Sequence, residues 1–168
     1  MPLITLSIGS NIDPHVNVRT ALSALEVEFP GLRCSSVYES EAVGFEGNNF
    51  LNLVVSAETE KPLPQLLDYL KSLENSCGRD RQSPKFSGRT LDVDILTYGK
   101  SGGAEAGLEL PRPEITRNAY VLKPLAELVP DEVHPPSGKT YAELWSEYDE
   151  SRQRLWPIEF DWQPRIRP

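Results

Sequence analysis

Ile4, Leu6 and Ile8 alternate with Leu3, Thr5 and Ser7 at the start of the chain and give way to Gly9-Ser10-Asn11. A period of two predicts a first strand closed by a turn. Asp13 stands at an N-cap position with Pro14 at the first helical position, and Val18, Leu22 and Leu25 recur at helical spacing up to Pro30-Gly31, which predicts a first helix. Residues 33–38 and 50–57 are two further strand candidates, joined through Gly44, Gly47 and Asn48-Asn49, a composition suited to a mobile loop. Pro62 and Pro64 open a second helix whose Leu63, Leu66, Leu67, Leu70 and Leu73 form one stripe, with Gly78 placed to end it. Thr90 to Tyr98 alternates again, before a turn at Gly102-Gly103 and a short strand at 108–110.

The predicted order is therefore βαββαβ. Each element offers one apolar face, so the fold class is α+β, a ferredoxin-like two-layer sandwich: a mostly antiparallel sheet with helices packed on one face. Ala119 to Leu128 is a further helix candidate, and Thr140-Tyr-Ala-Glu143 is a capping-box pattern that opens a short helix through Trp145. The segment from Trp156 to Pro168, rich in proline and aromatics, reads as an extended tail on the core. The domain reading is one unit over 1–150 with a packed tail over 151–168.

Composition narrows the partners. A chain of 168 residues with 39% hydrophobic content can bury one continuous core. Its formal net charge of -8 argues against a nucleic-acid or anionic-membrane surface, which needs a broad basic face. The amino-terminal segment carries no basic region, and Thr5, Ser7 and Gly9 interrupt its apolar run, so neither a signal peptide nor a spanning helix fits and a cytoplasmic protein is expected. Cys34 and Cys77 are far apart in sequence, as expected of reduced thiols packed as small apolar groups. His15 and His134 match no metal spacing and read as surface or structural residues.

Candidate chemistry begins at Asp92-Val93-Asp94. On a strand, residues i and i+2 share a face, with Cα atoms about 6.6 Å apart, so both carboxylates can share one ion or bracket two. Mg²⁺ takes one or two carboxylates plus phosphate oxygens, and a pair of ions stabilises the attacking and leaving oxygens of an in-line displacement. A solvated sheet face would carry the same pattern. The neighbourhood favours the first reading, because Arg79, Arg81, Lys85 and Arg89 precede the strand in an otherwise acidic chain. Guanidinium groups match phosphate oxygens in a two-pronged fashion. Loop cations and strand carboxylates are the two components needed to hold a metal-complexed triphosphate. There is no P-loop pattern, so the nucleotide would be held another way.

Leu6-Ser-Ile-Gly-Ser-Asn11, Phe50-Leu-Asn52, Leu73-Glu74 through Gly78-Arg79, Gly88-Arg-Thr-Leu-Asp-Val-Asp-Ile-Leu96, and Leu110-Pro-Arg-Pro followed by Tyr120-Val-Leu-Lys-Pro-Leu125 together resemble the 6-hydroxymethyl-7,8-dihydropterin pyrophosphokinase family of folate biosynthesis. The resemblance runs from about residue 3 to about residue 142. It implies transfer of the β,γ-pyrophosphoryl unit of ATP to the hydroxymethyl group of a reduced pterin, leaving AMP. It implies two Mg²⁺ ions on Asp92 and Asp94, and ATP contacts from Glu74, Arg79, Ile95, Arg112 and Arg117. Arg81 and Arg89 resemble mobile-loop cations that reach the phosphates on closure. Phe50 and Tyr120 resemble an aromatic pair that sandwiches the pterin, and Asn52, with Ser40, Val43 and Gly44, its edge-readers; Asn11 would lie near the cleft. Stacking suits a flat heteroaromatic ring, and an amide offers both donor and acceptor. Core packing for the two aromatics, and a turn role for Asn11, are the alternatives that residue type leaves open.

Several positions depart from the family pattern. Pro111-Arg112-Pro113 replaces a Pro-His-Pro-like element, and arginine cannot titrate near neutral pH. Asn118 stands at an arginine position, with Arg117 one place earlier. Phe86 stands where a loop tryptophan is common, and Glu41-Ala42 replaces a proline-containing stretch beside the pterin. These changes lie on substrate-facing segments and leave open a diverged paralogue that binds a pterin or nucleotide without turnover, or a transferase for another hydroxymethyl heterocycle. The expected partners are the small molecules ATP and reduced pterin, and the expected state is a monomer or weak homodimer.

Overall fold

The computed structural model describes residues 2–41, 47–77, 90–100, 103–105 and 107–162. In chain order these form β1 (Leu3–Ser10), α1 (Pro14–Glu28), β2 (Arg33–Cys34), β3 (Val37–Ser40), β4 (Phe50–Glu58), α2 (Leu63–Ser76), β5 (Asp92–Tyr98), β6 (Gly103–Glu105), β7 (Leu108–Leu110), α3 (Glu114–Arg117), α4 (Ala119–Leu128), β8 (Val133–His134), β9 (Lys139–Thr140), α5 (Tyr141–Glu147) and β10 (Leu155–Ile158). One sheet runs in the order β10-β3-β4-β1-β5, with β2 also on β4, and every pairing is antiparallel. This is the ferredoxin-like α+β class expected from the pattern, with the carboxy-terminal β10 added beyond β3 at the edge.

β1 is the hub, because it pairs β4 on one side and β5 on the other. Its Ile4, Leu6 and Ile8 are all but fully buried and face α1 and α2, together with Leu51, Leu53, Val55 and Ala57 of β4 and Val93 and Ile95 of β5. Period-two alternation puts all of these side chains on one side of the sheet. The leucine stripe of α2 meets them through Leu63, Leu66, Leu70 and Leu73.

Three local readings differ from the pattern. β1 continues through Gly9 and Ser10, which pair with Asn52 and Leu51, so the expected turn starts later. Asp13 precedes α1 in a left-handed conformation, φ 43°, without a side-chain cap. Residues 33–38 divide into β2 and β3, and Ser35 between them accepts the Val54 N–H on its hydroxyl while its own N–H donates to Val54 O. Gly78, expected to end α2, lies outside the described residues, and the helix ends at Ser76.

The second face of the sheet is not bare. α4 lies over it, burying Val121, Leu122 and Leu125 with Val54 and Leu96 in a second apolar cluster that Tyr141 of α5 completes. A register shift lies between Thr5 and Leu6: Leu6 pairs Ile95 and Thr5 pairs Thr97, leaving Leu96 as a bulge residue. Leu96 joins the α4 cluster by the same alternation that carries Asp92 and Asp94, and the bulge turns the next residue, Thr97, to that face too, where its hydroxyl bonds that of Thr5 at 2.6 Å. The capping box opens α5 as expected, with Thr140 Oγ1 accepting the Glu143 N–H and the Glu143 carboxylate accepting the Thr140 N–H. His134 is buried and bonded to Ser137, and exposed His15 stacks on Phe160, both structural positions.

Glu127 ties α4 to β3. Its carboxylate accepts the Tyr38 hydroxyl at 2.6 Å and both the N–H and hydroxyl of Ser36, while Lys123 lies over the Tyr38 and Trp145 rings. Burial first, and then the Glu127 carboxylate, push the Tyr38 phenol well above its ordinary value. A raised pKa means that the contribution of the neutral phenol is complete below about pH 10 and is lost as pH rises through the raised value. Glu127→Ala is expected to lower stability by about 1–3 kcal/mol in urea unfolding, since it strips a buried hydroxyl of its acceptor. Tyr38→Phe should lose stability less steeply than the parent above about pH 10, and parallel alkaline curves would disprove this assignment.

Candidate active site

The polar positions of the central strands line up on the α4 side of the sheet. Asp92 of β5 pairs Gly9 of β1, Gly9 pairs Asn52 of β4, and Asn52 pairs Tyr38 of β3. Asp92 and Asn52 are therefore two strand spacings apart, about 9.6 Å, with a glycine between them. The next rows hold Asp94 opposite Ser7, and Phe50 opposite Ser40. Side chains at Asp92, Asp94, Asn52, Phe50 and Ser40 share this face, because Val93 and Ile95 on one strand and Leu51 and Leu53 on the other are buried on the opposite side.

Each of these groups is held. Asn52 is buried and its Nδ2 donates to Ser40 Oγ at 2.7 Å. Glu74, near the end of α2, is buried, and its Oε2 accepts the Val93 N–H at 2.8 Å. That contact satisfies a backbone donor on the outer edge of β5 and fixes the strand between its two aspartates. Asp94 is exposed and Asp92 partly so. Asn11 is buried and its Nδ2 donates to Asn48 O at 3.1 Å, tying the end of β1 to the segment before β4.

α4 brings an aromatic ring to the same face. Tyr120 is half-buried in its first turn, and its phenol is raised by burial first and then by Glu114, Asp94 and Tyr148. The Asp94 contribution places the phenol and that carboxylate in one electrostatic neighbourhood. Beside Tyr120 is a cavity of about 390 Å³, lined also by Ser40 and Glu41 and by Ser151 to Leu155.

Other expected residues are placed less simply. Ile95 is buried in the helix-side core, so it presents only backbone to the cleft. Arg112 donates from Nε to Glu114 Oε2 at 2.8 Å and from its backbone to Leu96 O. Arg117 is exposed, and its carbonyl accepts the Tyr148 hydroxyl. Val43, Gly44, Arg79, Arg81 and Arg89 lie outside the described residues. Both cysteines are free, and burial raises both thiols, that of Cys34 to about 12. Among the described residues no helix is long and apolar enough to cross a membrane, and no group of three or more His, Cys, Asp or Glu side chains is placed to hold a metal.

Two residues of the site went unread in the sequence. Gly9 falls at the end of an alternating run where the pattern predicts a turn, although a glycine there also signals close approach of another group. Gln153 lies in a segment without periodicity and carries no such signal.

Asp92, Asp94, Asn52 and Phe50 thus share one face of a ferredoxin-like α+β sheet, to which α4 brings Tyr120. The chain belongs to the 7,8-dihydro-6-hydroxymethylpterin-pyrophosphokinase family, whose model matches residues 5–130. It is 36% identical over 160 residues to the 2-amino-4-hydroxy-6-hydroxymethyldihydropteridine pyrophosphokinase of Synechocystis, covering 91% of this chain and 78% of that one. It is 33% identical over 146 residues to the Aquifex aeolicus protein of the same name, covering 86% and 91%. The fold is also that of the Plasmodium falciparum HPPK-DHPS crystal structure with SDX-DHP, with a TM-score of 0.67 at 15% identity. That match covers 88% of this chain and 44% of the Plasmodium chain, so this protein spans less than half of its solved neighbour.

Gly9 is the position whose size the site constrains. A Cβ there would lie 3.1 Å from Asn52 Oδ1 and 3.9 Å from Phe50 Cδ1. Gly9→Ala is expected to displace the Asn52 amide from Ser40 and lower stability by about 1 kcal/mol in chemical denaturation. An unchanged midpoint together with an unmoved amide in a crystal structure of the variant would remove the constraint.

Proposed function

We propose that the Asp92–Gly9–Asn52 row is the meeting line of two substrates, ATP on the aspartate side and 6-hydroxymethyl-7,8-dihydropterin on the asparagine side. The family reaction is pyrophosphate transfer to hydroxymethyldihydropterin in folate biosynthesis, with ATP as co-substrate. The observation that carries the reading for this chain is the shared face: carboxylates, amide and aromatics stand on adjacent strands with a glycine keeping the floor between them open.

In the proposed reaction the pterin hydroxyl oxygen bonds to the β-phosphorus, the bond from that phosphorus to the α-phosphate oxygen breaks, and AMP leaves. The hydroxyl proton goes to solvent. Phe50 and Tyr120 face the two sides of the pterin ring, and Asn52 with Ser40, Val43 and Gly44 reads its edge. Asn11 holds the rim of the cleft. The Tyr120 phenol is neutral at ordinary pH and is raised further by burial first, so its ring adds no negative charge beside the carboxylates.

Asp92 and Asp94 suit Mg²⁺, being hard oxygen donors on one face of a strand with Cα atoms about 6.6 Å apart. With two carboxylates rather than a closed cage, the remaining positions fall to water and ATP, as Mg²⁺ prefers. Two such ions would neutralise charge on the phosphates and on the transferring group. Arg79, Arg81 and Arg89, with Glu74, Ile95, Arg112 and Arg117, form the nucleotide side, and Arg112 must exchange Glu114 for a phosphate to take part. Two free thiols favour a reducing compartment such as the cytoplasm.

Incubation with ATP, Mg²⁺ and the hydroxymethyldihydropterin should yield AMP and the pterin diphosphate, and chelation with EDTA should stop it. Asp94→Ala should lower kcat by at least about 100-fold with little change in melting temperature, since Asp94 is exposed and outside the core. ATP left intact at high enzyme concentration would overturn the transfer reading. Calorimetric binding of pterin or ATP without AMP release would identify the non-catalytic paralogue that the Arg112 and Asn118 departures allow.

A further inference from the structure

The cavity beside Tyr120 has one wall from the carboxy-terminal segment, which lies beyond the residues matched by the family model. That segment enters the sheet: Leu155 of β10 pairs Ser40 of β3, and the strand continues to Ile158 opposite Val37. Immediately before it, Gln153 reaches the start of α4. Its Oε1 accepts the Ala119 N–H at 2.9 Å, and its Nε2 donates to Asn118 Oδ1 at 2.9 Å.

These two bonds fall where α4 is weakly held. Ala119 is fully buried and its N–H is one of the donors that a helix leaves without an intrahelical partner. Asn118 precedes the helix but makes no side-chain cap to it. Pro124 lies inside α4 and has no N–H to give the carbonyl four residues earlier, which is that of Tyr120. The Ala119 N–H and the Tyr120 carbonyl thus lack a partner four residues away within α4, and Gln153 supplies one for the N–H from outside.

We propose that Gln153 is a positioning residue for the acceptor pocket, clamping the first turn of α4 so that the Tyr120 ring stands at a fixed distance from Asn52 and Phe50. The inference rests on the reading of Tyr120 as a wall of the pterin pocket. It makes the carboxy-terminal segment part of the pocket rather than an appendage. It also gives Asn118 a task distinct from the anion contact of the family's arginine: orienting Gln153.

The test compares Gln153→Ala, Gln153→Glu and Tyr120→Ala in steady-state kinetics with ATP, Mg²⁺ and 6-hydroxymethyl-7,8-dihydropterin, with melting temperatures alongside. Gln153→Ala is expected to raise KM for the pterin about three- to tenfold while KM for ATP stays within about twofold. Gln153→Glu keeps the acceptor for the Ala119 N–H and should bring the pterin KM back to within about threefold of the parent. Should Gln153→Ala fail to fold, Gln153→Met, which keeps the length and removes both polar atoms, carries the same expectation. A pterin KM unmoved in the Gln153 variants but raised in Tyr120→Ala overturns the clamp and leaves the stacking reading standing. Rises of both KM values in step with a lower melting temperature, without rescue by Gln153→Glu, also overturn it. A pterin KM unmoved in Tyr120→Ala overturns the stacking reading and the clamp together.

Discussion

The pairing of β1 with β4 on one side and β5 on the other is the constraint on which the molecule depends. A strand bonded on both edges cannot slip by one residue without turning Ile4, Leu6 and Ile8 out of the helix-side core and Thr5, Ser7 and Gly9 into it. The register that buries the isoleucines is the same register that sets Gly9 between Asn52 and Asp92. Core and site are thus two faces of one alternation. The site inherits its geometry from apolar burial rather than from bonds among its own members.

A second consequence concerns the other face. An antiparallel sheet can leave one face to water, and a polar row such as Ser7, Gly9, Asp92 and Asp94 suits that. Here α4 covers the end where Val54 and Leu96 stand. The same face is therefore dry at one end and open at the other, with Tyr120 at the boundary. A ring at such a boundary is half-buried and near charge, which is why burial and Asp94 both raise its phenol.

Much of this was legible in the sequence because burial writes a period. β1, β4, α2 and β5 each carry a clean period of two or 3.6, and the aspartates gained meaning from the strand they sit on. What was not legible depended on contacts between distant segments. The bond from the Val93 N–H to the Glu74 carboxylate is one such contact, set by where α2 ends against an edge strand. The register shift that sets Thr97 opposite Thr5 is fixed between two strands distant in sequence, and no local pattern announces a bulge between Thr5 and Leu6. The strand at 155–158 contains a proline and too few residues to show alternation, and edge position is what tolerates both.

Charge explains why the proposed site would call for cations. The chain carries a net charge of -8, and Asp92 and Asp94 add two carboxylates to the face where a polyphosphate would dock. Unit charges of like sign 4 Å apart repel by about 4 kcal/mol at a protein surface, so apposed carboxylates and phosphates oppose binding until cations intervene. The arginines at 79, 81 and 89 carry positive charge next to the strand in sequence, and on the proposed reading hard divalent ions complement the two carboxylates. On the proposed chemistry, the acidic face is a gate: it admits ATP with its ions and rejects the bare nucleotide. On the same proposed chemistry the acceptor side would rely on an amide, a hydroxyl and neutral rings for its direct contacts, with Glu41, Arg152 and Arg154 of both signs around the cavity beside Tyr120.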